Sequence, residues 1–263
     1  VKPPAPQAAY AERRAYYRRL LTVYGRKAVL EALCDASLAP RTLHLARSNR
    51  AAAIVNELRE LAERRDVAVR EHSRAELSRI SRNGRQDQGV ALDVHCPRMQ
   101  ELEDFLAAGA TARSALLALD GVSNPQNMGM ALRSATAAGI DGMLYADRGN
   151  PALGPLVIKA SAGTVFRAPL LRCTDIAAAA THCMAAGYTL YRLDASAPVS
   201  LFDTTFAERA LLVLGGESDG ISPALRDLQG TDLSIPMASG VESLNVAVSA
   251  ALVAYAAKAY FDR

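Results

Sequence analysis

The stretch "ALLALDGVSNPQNMGMALRSATAAGIDGMLYAD", residues 115–147, sets the class of fold. Residues 115–119 are an unbroken apolar run, too short for a helix and long enough for a strand buried on both faces. Asn124 followed by Pro125 is a helix-start signal and Gly139 a stop, which predicts a helix over 126–138. A second apolar run follows at 142–147. Strand, helix and strand in this rhythm make a parallel crossover unit. Met128, Leu132 and Ala135 fall on its core-facing stripe, Arg133 falls off that stripe, and Asn127 lies in the first turn, close to the strand end.

The same alternation runs on to the C-terminus. Strands are expected at 166–171, 188–193, 210–215 and 232–237, with helices over 153–160, 175–186 and 222–229. Near-continuous apolar strands separated by helices imply an α/β fold with a mainly parallel sheet covered on both faces. Upstream, 22–96 reads as a separate small α/β module, with strands at "RTLHLA", "VAVREH" and "GVALDVH" and helices at "RAAAIVNELRELAERR" and "RAELSRIS". Residues 97–113, opened by Pro97 and containing an acidic helix that ends at Gly109, are expected to link the two, and 1–21 to form a basic, Pro-rich arm. The second domain is taken as 114–263.

Composition excludes several classes. Half of the 263 residues are apolar and 22% charged, which is ordinary for a globular protein. No run supplies the ~20 strongly apolar residues of a membrane span, and VKPPAPQ at the start has no apolar signal core, so a cytoplasmic protein without membrane contact is expected. Cys34, Cys96, Cys173 and Cys183 lack CxxC spacing and the four His are scattered, so free, buried thiols and no metal are expected. Charge is uneven: residues 1–100 hold 19 Lys+Arg against 11 Asp+Glu, and 101–263 hold 11 against 16. A basic first half suggests a module that grips a polyanion.

In open parallel sheets ligands bind at the carboxyl ends of the strands. Three loops there are rich in polar residues: "GVSNPQN" after 115–120, "GESDGIS" after 210–215 and "ASGVESLN" after 232–237, with Ser243 or a neighbour expected to cap the last helix. The dinucleotide fingerprint GxGxxG, the phosphate loop GxxxxGK[ST] and the GxSxG elbow are all absent. The last helix, within "SGVESLNVAVSAALVAYAAKAYF" (239–261), has only Asn245 and Ser249 as polar residues between Leu244 and Ala257. A helix apolar all round must be covered all round.

Taken in order, "NPQNMGMALRSATAAG", "LVLGGESDGIS" and "IPMASGVESLNVAVSAAL" resemble the three motifs of the SpoU (TrmH-like) branch of the SPOUT superfamily, RNA ribose 2'-O-methyltransferases, over about 114–260, with "KASAG" at 159–163 as a further match. The N-terminal module, opening on "YGRKAVLEAL", is similar to that family's substrate-binding domain, although Asp87 stands where the family has a His. The resemblance implies a knotted α/β domain whose C-terminal segment is threaded through a loop, a homodimer formed through that domain and the last helix, S-adenosyl-L-methionine as methyl donor, and RNA, not DNA, as partner. Ribosomal RNA, 23S above all, is favoured over transfer RNA. It further implies Asn127, Arg133, Glu217, Ser243 and Asn245 as the catalytic constellation and Gly215, Gly216, Ile235, Met237 and Leu244 as the cofactor wall. Two other classes stand beside it: an RNA-binding or ribosome assembly protein of the same fold that has lost catalysis, and a nicotinamide-dependent oxidoreductase.

Overall fold

A computed structural model describes residues 16–49, 53–109, 111–217 and 219–262. They form two compact units, Val1–Pro97 and Arg98–Arg263. Most of the basic arm over 1–21 lies outside the described residues, and Leu20 already begins the first strand.

In the first unit the strands β1 (Leu20–Tyr24), β2 (Ala39–Ala46), β3 (Ala68–His72) and β4 (Val90–His95) lie in the order β1-β4-β2-β3. The β1/β4 and β4/β2 pairs are antiparallel and β2/β3 is parallel. Helices α1 (Arg26–Cys34), α2 (Ala53–Arg64) and α3 (Arg74–Ser81) connect them. Of the stripe on α2, Val55, Leu58 and Ala62 are buried. Asp87 is fully buried, accepting from Ser81 Oγ (2.8 Å) and the Gly89 amide (2.9 Å) and pairing with Arg74 (2.7 Å). The departure from the family's His therefore pins α3 to the turn before β4.

The second unit is built on seven parallel strands. They are β5 (Gln100–Glu101), β6 (Ser114–Asp120), β7 (Gly142–Ala146), β8 (Leu170–Cys173), β9 (Thr189–Leu193), β10 (Arg209–Gly215) and β11 (Thr231–Leu233), ordered β11-β9-β10-β6-β7-β8-β5. Leu116, Ala118, Leu211 and Val213 face a core shared with Ile176, Ala179 and Cys183 of α7 (Ile176–Ala185). Alternate residues, Leu117, Leu119, Leu212 and Leu214, are as deeply buried on the other side, where α9 (Val246–Phe261) packs over β10 and against α5 (Pro125–Ala138). Both faces are covered, so these strands are apolar throughout. Gly129 of α5 lets α6 (Pro155–Ala160) come close: a Cβ there would lie 2.6 Å from Ala160 Cβ and 2.7 Å from the Val157 carbonyl.

Several boundaries differ from the sequence reading. Residues 97–113 carry β5, paired with β8 at the sheet edge, and α4 (Leu102–Ala107). The strand expected at 166–171 begins at Leu170, because residues 164–166 wind into a 3₁₀ turn and Pro169, which has no amide hydrogen, precedes the ladder. The strand expected at 232–237 keeps ladder pairing only as β11; Ser234 then pairs with Ser200, and Pro236 follows. The free cysteines are buried at 96, 173 and 183, whereas Cys34, at the end of α1, is exposed.

Chain order reverses between β6 and β10. From β6 the chain steps outward through β7 to β8; it then returns by α7 to β9 and inserts β10 between β9 and β6. Such a reversal leaves a crevice at the carboxyl ends of the strands on either side.

Candidate active site

Three elements deliver side chains to that crevice. Asn124 caps α5, accepting from the amides of Gln126 (2.8 Å) and Asn127 (3.4 Å), with Pro125 in the first turn and Gly139 closing the helix at φ 83°. This cap fixes the first turn, on which Asn127 is 5% exposed. Glu217 stands two residues past the end of β10, after Gly216. Asn245, not Ser243, caps α9, its Oδ1 accepting from the Ala247 amide at 2.9 Å.

These three side chains meet. Asn127 Nδ2 donates to Glu217 Oε1 at 2.7 Å. Asn245 Nδ2 donates to Asn127 Oδ1 and to Glu217 Oε1, both at 3.1 Å. A carboxylate only accepts, so its position fixes which way both amides point. Asn245 is locked at both ends, by the helix through Oδ1 and by the cluster through Nδ2.

The cluster sits at a cleft with an apolar and main-chain lining. Leu214, Gly215, Gly216, Glu217 and Gly220 form the β10 side; Ile235 and Met237 come from the loop after β11; Ser243, Leu244, Val246 and Ser249 come from the start of α9. Leu193 and Ala195 close it from the end of β9. Every residue of the expected cofactor wall is therefore on the cleft, as are Glu217 and Ser243. Among the described residues that line it, Glu217 is the only acidic or basic one.

Arg133 stands apart. It is exposed on α5, six residues and so about 120° round the helix from Asn127, and it neither lines the cleft nor bonds to the cluster among the described residues. Large apolar residues are exposed on the same two helices: Met130 of α5 is 42% exposed, and Val248 and Tyr255 of α9 are 49% and 50% exposed.

The glycines have a packing reason beyond ligand approach. A Cβ on Gly215 would come within 2.1 Å of the Gly220 carbonyl carbon, and one on Gly216 within 2.8 Å of the Gly121 oxygen. The turn folds back on itself at Gly220 (φ 64°), whose amide donates to the Gly216 carbonyl at 3.1 Å. Sequence reasoning missed the residues that hold these loops. Asp120, at the end of β6, accepts from the Ser222 amide at 2.7 Å and so ties the 216–222 turn to the sheet. Asp194 accepts from the Ser196 hydroxyl (2.7 Å) and amide (2.9 Å) and meets Arg226 at 3.0 Å; these contacts, Ser196 foremost, hold its carboxyl below the usual range. Both Asp residues lie at strand ends, the one positional signal that could have marked them.

Residues 114–255 match the family model of the SpoU rRNA Methylase family, and residues 22–100 match the model described as RNA 2'-O ribose methyltransferase substrate binding. The chain belongs to the SpoU rRNA methylase family. It is 34% identical over 258 residues to an uncharacterized tRNA/rRNA methyltransferase of Mycolicibacterium vanbaalenii, covering 95% of this chain and 82% of that one. Among solved structures it is similar to the AdoMet-bound rRNA methyltransferase of Sinorhizobium meliloti, at 22% identity and a TM-score of 0.64, over 95% of this chain and 90% of that chain. A TrmH-family protein from Porphyromonas gingivalis matches at 26% identity with a TM-score of 0.62, over 97% and 98% of the two chains. This SpoU-family chain is thus an RNA methyltransferase with the family's substrate-binding region ahead of its methylase domain. Among its described residues, no helix is long and apolar enough to cross a membrane.

Proposed function

We propose that this chain transfers a methyl group from S-adenosylmethionine to a ribose 2'-hydroxyl of RNA, with ribosomal RNA as the substrate. The observation that carries this reading is the Asn127–Glu217–Asn245 cluster at the edge of the Gly215–Leu244 cleft. Bound there, S-adenosylmethionine supplies an electrophilic methyl on a sulfonium whose charge vanishes as the methyl leaves. The lining residues fit such a group: Leu214, Ile235 and Leu244 offer apolar surface to an adenine and a thioether, and main-chain groups at Gly215, Gly216 and Met237 can hold its polar ends. A wall with one carboxylate and no cation partner stabilises the donor's charge only modestly, which favours transfer because only interactions stronger in the transition state accelerate it.

The chain's own residues have distinct tasks. Asn127 and Asn245 hold Glu217 in one orientation and so keep the mouth of the cleft rigid. Ser243, exposed at that mouth, can take a hydrogen bond from the ribose. A guanidinium stays protonated, so Arg133 acts not as a base but as a clamp on the neighbouring phosphate and on the developing alkoxide, the proton leaving to water.

Arg133 reaches this role from a second subunit. Val248 and Tyr255, with the half-buried Leu252 between them at positions i, i+7 and i+4 of α9, and Met130 of α5 form an apolar stripe that one subunit leaves largely uncovered. A homodimer through α5 and α9 covers it and brings each Arg133 to the partner's cleft. Threading of the C-terminal segment belongs to the same reading. After β11, two strands away from β10, the chain must return to seat Leu244 and Asn245 beside β10. A traced crystal structure whose chain pulls straight from both ends would remove the knot.

Ribosomal RNA is favoured because residues 114–255 match the model of the SpoU rRNA Methylase family, and the fold of the Sinorhizobium meliloti rRNA methyltransferase is similar over 95% of this chain. The test is transfer of a tritiated methyl group to separately purified ribosomal and transfer RNA. Label in the ribosomal fraction is expected; label confined to transfer RNA would overturn the choice of substrate, and label in neither would overturn the activity.

A further inference from the structure

The N-terminal sheet has one apolar face and one polar one. Leu21, Val23, Leu43, Leu45, Leu92 and Val94 are buried on the first. Alternate strand residues make the second. There Leu77 of α3 covers one end, against Ala46 and Ala91. Beyond it lie Thr22, Asp93, His95, His44, Arg70 and His72.

Among the described strand residues of this face the one carboxylate is held in hydrogen bonds. Asp93 accepts the Thr22 hydroxyl at 2.7 Å and faces His44 Nε2 at 3.0 Å, while His44 Nδ1 faces His72 Nε2 at 2.9 Å. Because the carboxylate can only accept, His44 donates to it through Nε2. Glu76, at the start of α3, is likewise engaged, accepting from the Ser73 amide at 2.7 Å. Arg41, Arg47 and Arg70 are exposed, Arg19 is half-buried, and none of the four has an ion pair among the described residues. Next to this charge stands an aromatic platform: Tyr16, 42% exposed, stacks on His95 at 6.1 Å between ring centres and 15° between planes. Burial, with Arg41 and Arg19 beyond it, holds His95 below its ordinary range, so it stacks as a neutral ring.

We infer that this face is where a single-stranded stretch of the RNA substrate lies, a base against the Tyr16–His95 stack and phosphates on Arg19, Arg41 and Arg70. Exposed rings beside arginines suit unpaired bases, whose faces are free to stack, whereas a duplex hides them. Four arginines without an ion pair among the described residues, beside carboxylates already taken up in hydrogen bonds, suit a polyanion. The inference rests on RNA being the substrate and goes further by naming the surface and the form of RNA it takes.

The test is fluorescence anisotropy of the full chain with a labelled, unstructured polyuridine 12-mer across a salt series, alongside methyl transfer to ribosomal RNA. Arg41→Ala with Arg70→Ala should weaken binding at least tenfold and flatten the slope of log K against log salt by about 1.4, at ~0.7 per lost phosphate contact on a single strand. Tyr16→Ala should weaken binding roughly 5- to 100-fold with the slope unchanged, and Tyr16→Phe should restore it. Failure of the wild-type chain to bind the 12-mer, or wild-type binding by every variant, would overturn the surface. If wild type still methylates RNA in either case, the enzymatic reading stands without it; loss of methyl transfer in wild type itself would strike that reading instead.

Discussion

Asn245 donates through Nδ2 to Oδ1 of Asn127 at 3.1 Å, across 118 positions of sequence. That bond closes a cluster in which two amides hold one carboxylate, and it exists only because the first turn of α5 and the first turn of α9 meet at the end of β10. Each Asn is held by its own helix start, so the cluster is as rigid as the helices behind it. Rigid polar groups aimed before the reaction begins are what stabilise developing charge.

Replacing a cluster member should therefore affect chemistry more than folding. Asn127→Ala is expected to lower kcat for methyl transfer about 10²-fold or more, with S-adenosylmethionine affinity within a few-fold of wild type by calorimetry. Asn127→Asp places a second carboxylate against Glu217 Oε1, where two like charges share one proton. Its activity should recover as pH falls and the pair takes up that proton; a flat pH profile would show that the two groups do not face each other.

The close turn after β10 makes a sharper test of the cleft. Gly215→Ala drives a Cβ to within 2.1 Å of the Gly220 carbonyl carbon, which is backbone and must move. Loss of S-adenosylmethionine binding by at least tenfold and a stability loss of about 1–3 kcal/mol are expected, read by calorimetry and by urea unfolding. Unchanged binding would place the donor elsewhere.

Much of this arrangement was legible in sequence. Asn124–Pro125 and Gly139 bracket α5 because capping chemistry is local. Apolar strand runs mark β6 and β10 because both faces of the sheet are covered. What sequence could not settle depends on long-range contact. Ser243 is as good a cap residue as Asn245 by type, and only the path of the chain after β11 decides that Asn245 takes the position. Gly215 and Gly216 read as room for a ligand, while the first neighbours a side chain would strike are Gly220 and Gly121. Periodicity puts Arg133 off the core-facing stripe, yet it does not say that this motif residue stands outside the lining of the cleft.

Thiol chemistry probes the cores independently. Burial pushes Cys96, Cys173 and Cys183 up to about 12. In the native chain at pH 8 a disulfide reagent should label Cys34, the exposed thiol, at once and the other three only after denaturation. A raised pKa favours the protonated thiol in the fold. Its contribution to stability is thus present below the unfolded value near 9 and is lost as pH rises toward 12. Chemical denaturation at pH 7 and pH 10 should show the decline.

Arg192 holds the end of α8 (Pro223–Arg226). It is 8% exposed, and its Nη1 donates to the carbonyls of Leu225 (2.8 Å), Arg226 (2.9 Å) and Leu228 (2.8 Å), while Nε meets Asp232 at 2.7 Å. Arg192→Met leaves these acceptors unpaired and should cost about 2–4 kcal/mol in urea unfolding. Arg192→Lys should recover little of it, since an ammonium cannot reproduce the planar fork.

The dimer is tested by charge on the α9 stripe. Val248→Asp with Tyr255→Asp should sediment as a folded monomer where wild type sediments as a dimer, and methyl transfer should fall with dimer content because each cleft would lack the partner's Arg133. A monomeric wild type with full activity would contradict that arrangement.

Most direct of all is the chemical position of the new methyl group. RNA labelled by the purified chain with tritiated S-adenosylmethionine should yield its label in alkali-resistant dinucleotides, because a methylated 2'-oxygen cannot attack the adjoining phosphate. Label released wholly with ordinary mononucleotides would put the methyl on a base, and the account of this site as a ribose methyltransferase would be wrong.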